Sequence, residues 1–266
     1  MTVPHTTLHH PLMALSALCC GALVASVAPA AQAAQASSLL VDGFDAPTAP
    51  VTSVFTSVNE ELFNQFSPTV LGDVRGVYHH TYTNPQGSVA ALAVGNGAIS
   101  SSSGVGTQTE VLLLYGAFTR PTLEPDVGGP LLGLDSTPYD TFRLDFSGYS
   151  SVLNLNVVLY TANPLDPGAP LYYSTVGVNV APAAPGGPMV VDLPFDTLNP
   201  GFNFAQVDGI AVVINRANGA TNVSWTLDSF SLVSAVPEPT PAALLLAGIG
   251  VLGWLRRRQA LGTRQP

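Results

Sequence analysis

The chain has 266 residues, of which 47% are apolar and only 9% charged, and carries a formal net charge of −9. All eight basic residues are arginines, and four of them (Arg256, Arg257, Arg258, Arg264) lie in the last eleven positions. The stretch between the two ends holds four arginines against sixteen acids, a net −12, which repels phosphates and excludes nucleic-acid binding. With no lysine, the lysine-bearing phosphate loops are excluded too.

The first element is an apolar run from Pro11 to Val27, followed by the small-residue triplets Ala31-Gln32-Ala33 and Ala34-Gln35-Ala36. Small residues at the −3 and −1 positions are what signal peptidase accepts, so residues 1–36 read as a signal peptide. Ala34 and Ala36 flank the first-choice cleavage site, and the bond after Ala33 is the second choice. A lipoprotein signal at Cys19 or Cys20 is disfavoured, because Leu18 stands where a small residue is required. Removing the run removes both cysteines, which leaves the body without a disulfide or a thiolate ligand.

From residue 37 to 233 the chain reads as short apolar or alternating runs separated by Gly, Pro, Asn and Asp. The expected strands are Leu39–Phe44, Val51–Val58, Val74–Thr83, Val89–Val94, Glu110–Tyr115, Thr141–Phe146, Val152–Tyr160, Leu171–Val180, Met189–Leu193, Gly209–Asn215 and Val223–Val233. Eleven strands at this spacing predict one all-β domain, a β-sandwich or barrel. Alternation is clean in Phe142-Leu144-Phe146, in Val223-Trp225-Leu227 and in Phe230-Leu232. Ile210–Ile214 is continuously apolar, as a strand covered on both faces would be. Glu60-Glu61-Leu62-Phe63 reads as one helical turn and Ser100–Ser103 as a solvated loop.

The body offers little overt catalytic chemistry. It has no Gly-x-Ser-x-Gly elbow and no His-Glu-x-x-His. His79 and His80 are adjacent, so on a strand they face opposite ways and do not share a metal. Sixteen acids offer many pairs for a glycosidase, and the count alone selects none. Asp126, Asp135, Asp140 and Asp145 read as turn-capping residues.

The last element has three ordered parts: Val236-Pro237-Glu238-Pro239, an uncharged run over 241–255, and Arg256-Arg257-Arg258. The run is short for a membrane span, and the arginines behind it act as a membrane-stop cluster on the cytoplasmic side. Residues 234–266 thus read as a transmembrane sorting tail.

Pro237-Glu238-Pro239, the apolar run and the arginine cluster together resemble the PEP-CTERM sorting signal. The resemblance implies an exported protein of a Gram-negative bacterium, processed near Pro237–Pro239 by exosortase, a membrane transpeptidase. It implies transient membrane anchoring, then release to the cell surface or extracellular matrix. The middle resembles the jelly-roll domains of such proteins, through Leu40–Asp45 as first strand, Val70–Arg75, and Trp225–Leu232 as last strand. Asp73 and Gly76 depart from the family's "LGG-x-R-D" pattern.

If the first and last strands lie side by side, Asp42 or Asp45 comes near Asp228; a structural calcium bridging them is one reading, and strand-edge acids in solvent are the other. The acidic body should avoid acidic polysaccharide unless a divalent cation intervenes. A neutral glycan stacked on Tyr149, Tyr172 or Tyr173 is physically easier. The expected function is a non-enzymatic surface or matrix protein that binds or structures extracellular polysaccharide. A secreted glycan hydrolase is the alternative, and a surface-layer protein without a ligand is a third.

Overall fold

Thirteen strands form among the residues that the computed structural model describes: 37–45, 51–116, 131–161, 172–181, 186–216 and 219–234, with Ile249 alone beyond them. In chain order they are β1 (Ser38–Asp42), β2 (Val51–Phe55), β3 (Asn59–Phe66), β4 (Val74–Thr83), β5 (Ala90–Gly95), β6 (Ala98–Ser103) and β7 (Gln108–Gly116). There follow β8 (Thr141–Tyr149), β9 (Leu153–Thr161), β10 (Tyr172–Val180), β11 (Met189–Pro194), β12 (Gly209–Ile214) and β13 (Ser224–Val233). A single 3₁₀ turn, Phe195–Thr197, follows β11. Ala36–Ala235 is one compact unit.

The strands make two antiparallel sheets packed as a sandwich. Sheet A runs β11-β8-β13-β6-β5-β2, with β1 also paired to β13, and sheet B runs β10-β9-β12-β7-β4-β3. The core lies between them: Leu92, Phe142, Leu144, Leu227 and Phe230 from sheet A meet Val77, Leu113, Leu155 and Val212 from sheet B. The expected all-β sandwich is what forms.

Local sequence explains the strands. On β8, Phe142, Leu144 and Phe146 point inward, and Thr141, Arg143 and Asp145 point outward. On β13 the two apolar alternations, Trp225-Leu227 and Phe230-Leu232, are out of phase by one residue. A bulge at Asp228-Ser229 absorbs the extra residue, so Leu227 and Phe230 both reach the core. The continuously apolar β12 is buried along its whole length and lies between β7 and β9.

Two expectations are corrected. The stretch from Glu60 to Phe63 is not a helical turn but part of β3, the edge strand of sheet B. Leu62 and Phe63 pack against different layers, which adjacent residues of a strand do and adjacent residues of a helix do not. Ser100–Ser103 is not a loop but lies in β6, in the middle of sheet A. Its signal was Asn96-Gly97: both have positive φ (58° and 80°), and they join Gly95 to its partner Ala98 as the two-residue hairpin turn.

Candidate functional site

Register places the outward residues of sheet B in rows. One row reads Leu62, Tyr78, Leu112, Val213, Asn156 across five strands; the next includes Leu114, Ala211 and Val158. Tyr78, Leu112, Leu114, Val158, Tyr160, Ala211 and Val213 form a second buried apolar cluster, distinct from the inter-sheet core. Three polar groupings border it.

On the β4 side, His80 lies opposite Glu60 on β3 and Glu110 on β7. The Tyr78 hydroxyl donates to Glu60, and the Tyr82 hydroxyl donates to Glu110 at 3.0 Å. The His80 ring lies against both tyrosines, with centroids 5.7 Å from Tyr78 and 3.9 Å from Tyr82. Burial, then the Glu110 carboxylate, pushes the Tyr82 phenol up to about 12; burial and Glu60 push Tyr78 up as well. Both phenols therefore remain donors at neutral pH.

On the β9–β10 side, the Tyr160 and Tyr173 rings lie 6.1 Å apart, and Tyr173 is 63% exposed. The third grouping is a directed chain of amides. Asn156 Nδ2 donates to Asn154 Oδ1, and Asn154 Nδ2 donates to Asn179 Oδ1, each at 2.8 Å. These three asparagines, with Arg216, Val152, Gly219 and Ala220, line a cleft of about 630 Å³. Gly177 makes the arrangement fit, since a Cβ there would fall 2.0 Å from Asn156 Oδ1.

Sheet A carries a groove of about 430 Å³, floored by small side chains such as Thr52, Ala91, Ala93, Ser100, Ser102 and Thr226. No titratable side chain except the core residue Tyr149 lines it, so sheet B holds the richer chemistry.

The residues singled out by sequence fall as follows. β1 does pair with β13, with Asp42 opposite Phe230. Asp42 nevertheless points into the sandwich, where it meets Arg75; Asp228 accepts a bond from Ser147 on the outer face, and Asp45 is exposed. The fold therefore does not bring the three together, and no group of three potential metal ligands occurs among the described residues. Burial pushes the Asp42 carboxyl up, while Arg75, the Phe44 amide and the Tyr115 hydroxyl pull against it.

His79 and His80 face opposite ways: His79 is fully buried against Phe55 and Ser53, and His80 faces outward. Tyr149 is a core residue whose hydroxyl donates to the Ala181 carbonyl, and Tyr173 is the exposed one. Asp135 and Asp140 bond to Thr137 and Thr141 at turns, as capping residues do, and Asp145 accepts from Ser229. The Tyr172 side chain, Asp126, Ala34, Ala36, Pro237, Glu238, Pro239 and Arg256–Arg258 lie outside the described residues. The i, i+2 spacing of Asn154 and Asn156 on a strand was a legible signal for one polar row; Asn179 and Arg216 had none.

Residues 235–259 match the PEP-CTERM protein-sorting motif. The motif marks the chain as exported and processed at the membrane, and it implies exosortase as the processing partner. Among the described residues no helix is long and apolar enough to cross a membrane. No curated protein sequence matches the chain.

Among solved structures, a family 11 carbohydrate-binding module from Clostridium thermocellum, in complex with a β-1,3-1,4-mixed-linked tetrasaccharide, aligns at 11% identity and a TM-score of 0.34. That alignment covers 75% of this chain and 96% of the module. The solution structure of CtCBM11 aligns at 10% identity over 76% of this chain and 98% of that one, with a TM-score of 0.37. The enzymatically active domain of bacteriophage CBA120 tailspike protein 4 aligns at 10% identity over 72% of this chain and 20% of that one, with a TM-score of 0.29. At these scores the likeness carries no argument about ligand or chemistry.

Proposed function

We propose that this chain is a cell-surface or extracellular-matrix protein of a Gram-negative bacterium that binds or structures extracellular polysaccharide without catalysis. Signal peptidase removes residues 1–36, and an exosortase-type transpeptidase acts near Pro237–Pro239 on a tail held transiently in the membrane by the 241–255 run. The binding surface is the exposed margin of the outer face of sheet B, on β9, β10 and the residues that follow β12.

One observation carries the binding reading. A chain of asparagine amides and an arginine line a 630 Å³ cleft, and an exposed tyrosine stands farther along β10 on the same face. Sugars present both C–H faces, which stack on aromatic rings, and hydroxyl pairs, which suit amide donors and acceptors. Sites of this kind are concave and mostly apolar, with few convergent polar groups. Structural calcium remains part of the proposal only at sites other than the Asp42 carboxylate, which Arg75 occupies.

The test is retention on a glycan array of Ala36–Ala235, with and without calcium. This unit has its own core and is closed by the pairing of its first and last strands. Retention should weaken in Tyr173→Ala and Asn154→Ala without loss of melting temperature. An array on which no glycan is retained overturns the reading.

The second reading, a glycan hydrolase, is favoured by Glu60 and Glu110 flanking His80 in one row. A hydrolase needs one carboxyl as acid and the other as base or nucleophile across the bond. Here each already accepts a tyrosine hydroxyl. Release of reducing ends that Glu110→Gln abolishes would favour it.

A further inference from the structure

We propose that the cleft beside Arg216 is a subsite for the carboxylate of an acidic sugar, a uronic acid unit within the bound polysaccharide. This rests on the polysaccharide-binding reading and narrows its ligand class.

Three of the body's four arginines lie among the described residues, and their partners differ. Arg75 is buried on Asp42 and Gln65, and Arg143 forms a two-point pair with Asp192. Arg216 makes no ion pair among the described residues; it is exposed and lines the cleft. In a body of net −12 a guanidinium without an ion pair among the described residues is a distinct local feature. Among the described residues that line the cleft none is acidic.

The loop carrying Arg216 is held from several sides. Asn215 adopts a left-handed conformation (φ 57°), and its Nδ2 donates to the carbonyls of Thr109 and Ala220. Gln108 Nε2 donates to the Arg216 carbonyl at 3.1 Å, and so does the Gly219 amide at 2.6 Å. A Cβ at Gly219 would fall 2.2 Å from Asn215 Oδ1, so only glycine fits beside that amide. A guanidinium on a fixed backbone loses less freedom when it binds.

The asparagine chain supplies the rest. Its direction, Asn156 to Asn154 to Asn179, engages the oxygens of Asn154 and Asn179 as acceptors. Asn156 Oδ1 lies close against Gly177. Each bond of the chain uses one donor and one lone pair, so the row keeps both N–H donors and carbonyl acceptors beside a guanidinium. Amides beside a cation match a carboxylate flanked by ring hydroxyls, and guanidinium binds carboxylate through two parallel hydrogen bonds. The net charge of the body does not forbid this. At physiological salt, charges beyond about 8 Å are largely screened, so the ligand senses mainly the lining of the cleft.

The experiment is calorimetric titration of the Ala36–Ala235 unit with a panel of uronic-acid-containing oligosaccharides and their carboxyl-reduced forms, which keep every linkage but lose the charge. The acidic form of the recognised oligosaccharide should bind at least about tenfold tighter than its reduced partner, a difference of about 1.4 kcal/mol. Arg216→Gln should bring the two affinities together with melting unchanged, and Arg216→Lys should keep part of the preference. Equal binding of both forms by the wild type, or an equal loss for both in Arg216→Gln, overturns the subsite and leaves the polysaccharide reading standing. No binding of any member in either form, with neutral glycans also unbound, overturns both.

Discussion

The Nη1 atom of Arg75 stands 2.6 Å from both carboxylate oxygens of Asp42, and neither side chain is exposed. Asp42 lies on the first strand, in sheet A, and Arg75 on β4, in sheet B, so the pair ties the two layers together. Further hydrogen bonds surround it. Tyr115 and the Phe44 amide donate to Asp42, Arg75 donates twice to Gln65 Oε1, and the Phe44 ring lies 5.1 Å from the guanidinium carbon. A buried ion pair is costly to break from one side, because a lone charge is left behind.

Asp42→Ala and Arg75→Met should each therefore lower unfolding free energy by about 3–5 kcal/mol. The double variant should lose less than the sum of the two. Urea denaturation measures all three. Single variants within about 0.5 kcal/mol of wild type are incompatible with an ion pair that holds the sheets together.

Melting should be indifferent to calcium at Asp42, since a guanidinium already neutralises that carboxylate. Any calcium-dependent shift seen by scanning calorimetry, in EDTA against millimolar calcium, should be the same in wild type and in Asp42→Asn. A rise in melting temperature with calcium that Asp42→Asn removes would put a metal there after all.

Stability should fall as the medium is acidified from pH 6.5 toward 4, in part because of His79. Burial, with a smaller push from His80, holds the native imidazole down to about 4, against about 6.5 in the unfolded chain. Between those values the unfolded chain binds a proton that the native one does not, so stability drops as pH drops. The window corresponds to roughly 3 kcal/mol at most. In His79→Gln the urea midpoint should change less between pH 7 and pH 4.5 than in wild type. An identical pH slope in the two proteins excludes His79 as a contributor.

Gly177→Ala should disrupt the asparagine chain. The new methyl would fall 2.0 Å from Asn156 Oδ1 and 3.0 Å from the Leu155 carbonyl, so Asn156 must turn away. Overpacking of this kind costs about 1–3 kcal/mol. Retention of glycan on the array should weaken at the same time. A variant with wild-type stability and wild-type retention shows that the chain is not needed.

Chains lacking residues 235–266 should be exported but escape membrane processing, because the matched sorting motif is gone. Fractionation of cells with C-terminal mass analysis reads this directly. Recovery of the truncated chain in the same compartment as the full-length protein removes the sorting role from the tail.

Strand periodicity and segment chemistry were legible in the sequence because both are local. The alternation in Phe142–Phe146, the continuous run at Ile210–Ile214, the opposed faces of His79 and His80, and the Pro-Glu-Pro tail need only near neighbours along the chain. The two missed strands were local as well: Asn96-Gly97 announced one, and adjacent Leu62 and Phe63, serving two layers, announced the other. What only the tertiary structure decided was which faces meet. Asp42 meets Arg75 rather than Asp228 because side chains on one strand alternate between interior and solvent, and a shared strand edge does not make a shared face. Arg216 joins Asn154, Asn156 and Asn179 through the order of β10, β9 and β12 in sheet B and the register between β9 and β10. Register and sheet order are set by the summed burial of both layers at once, so no window of sequence contains them.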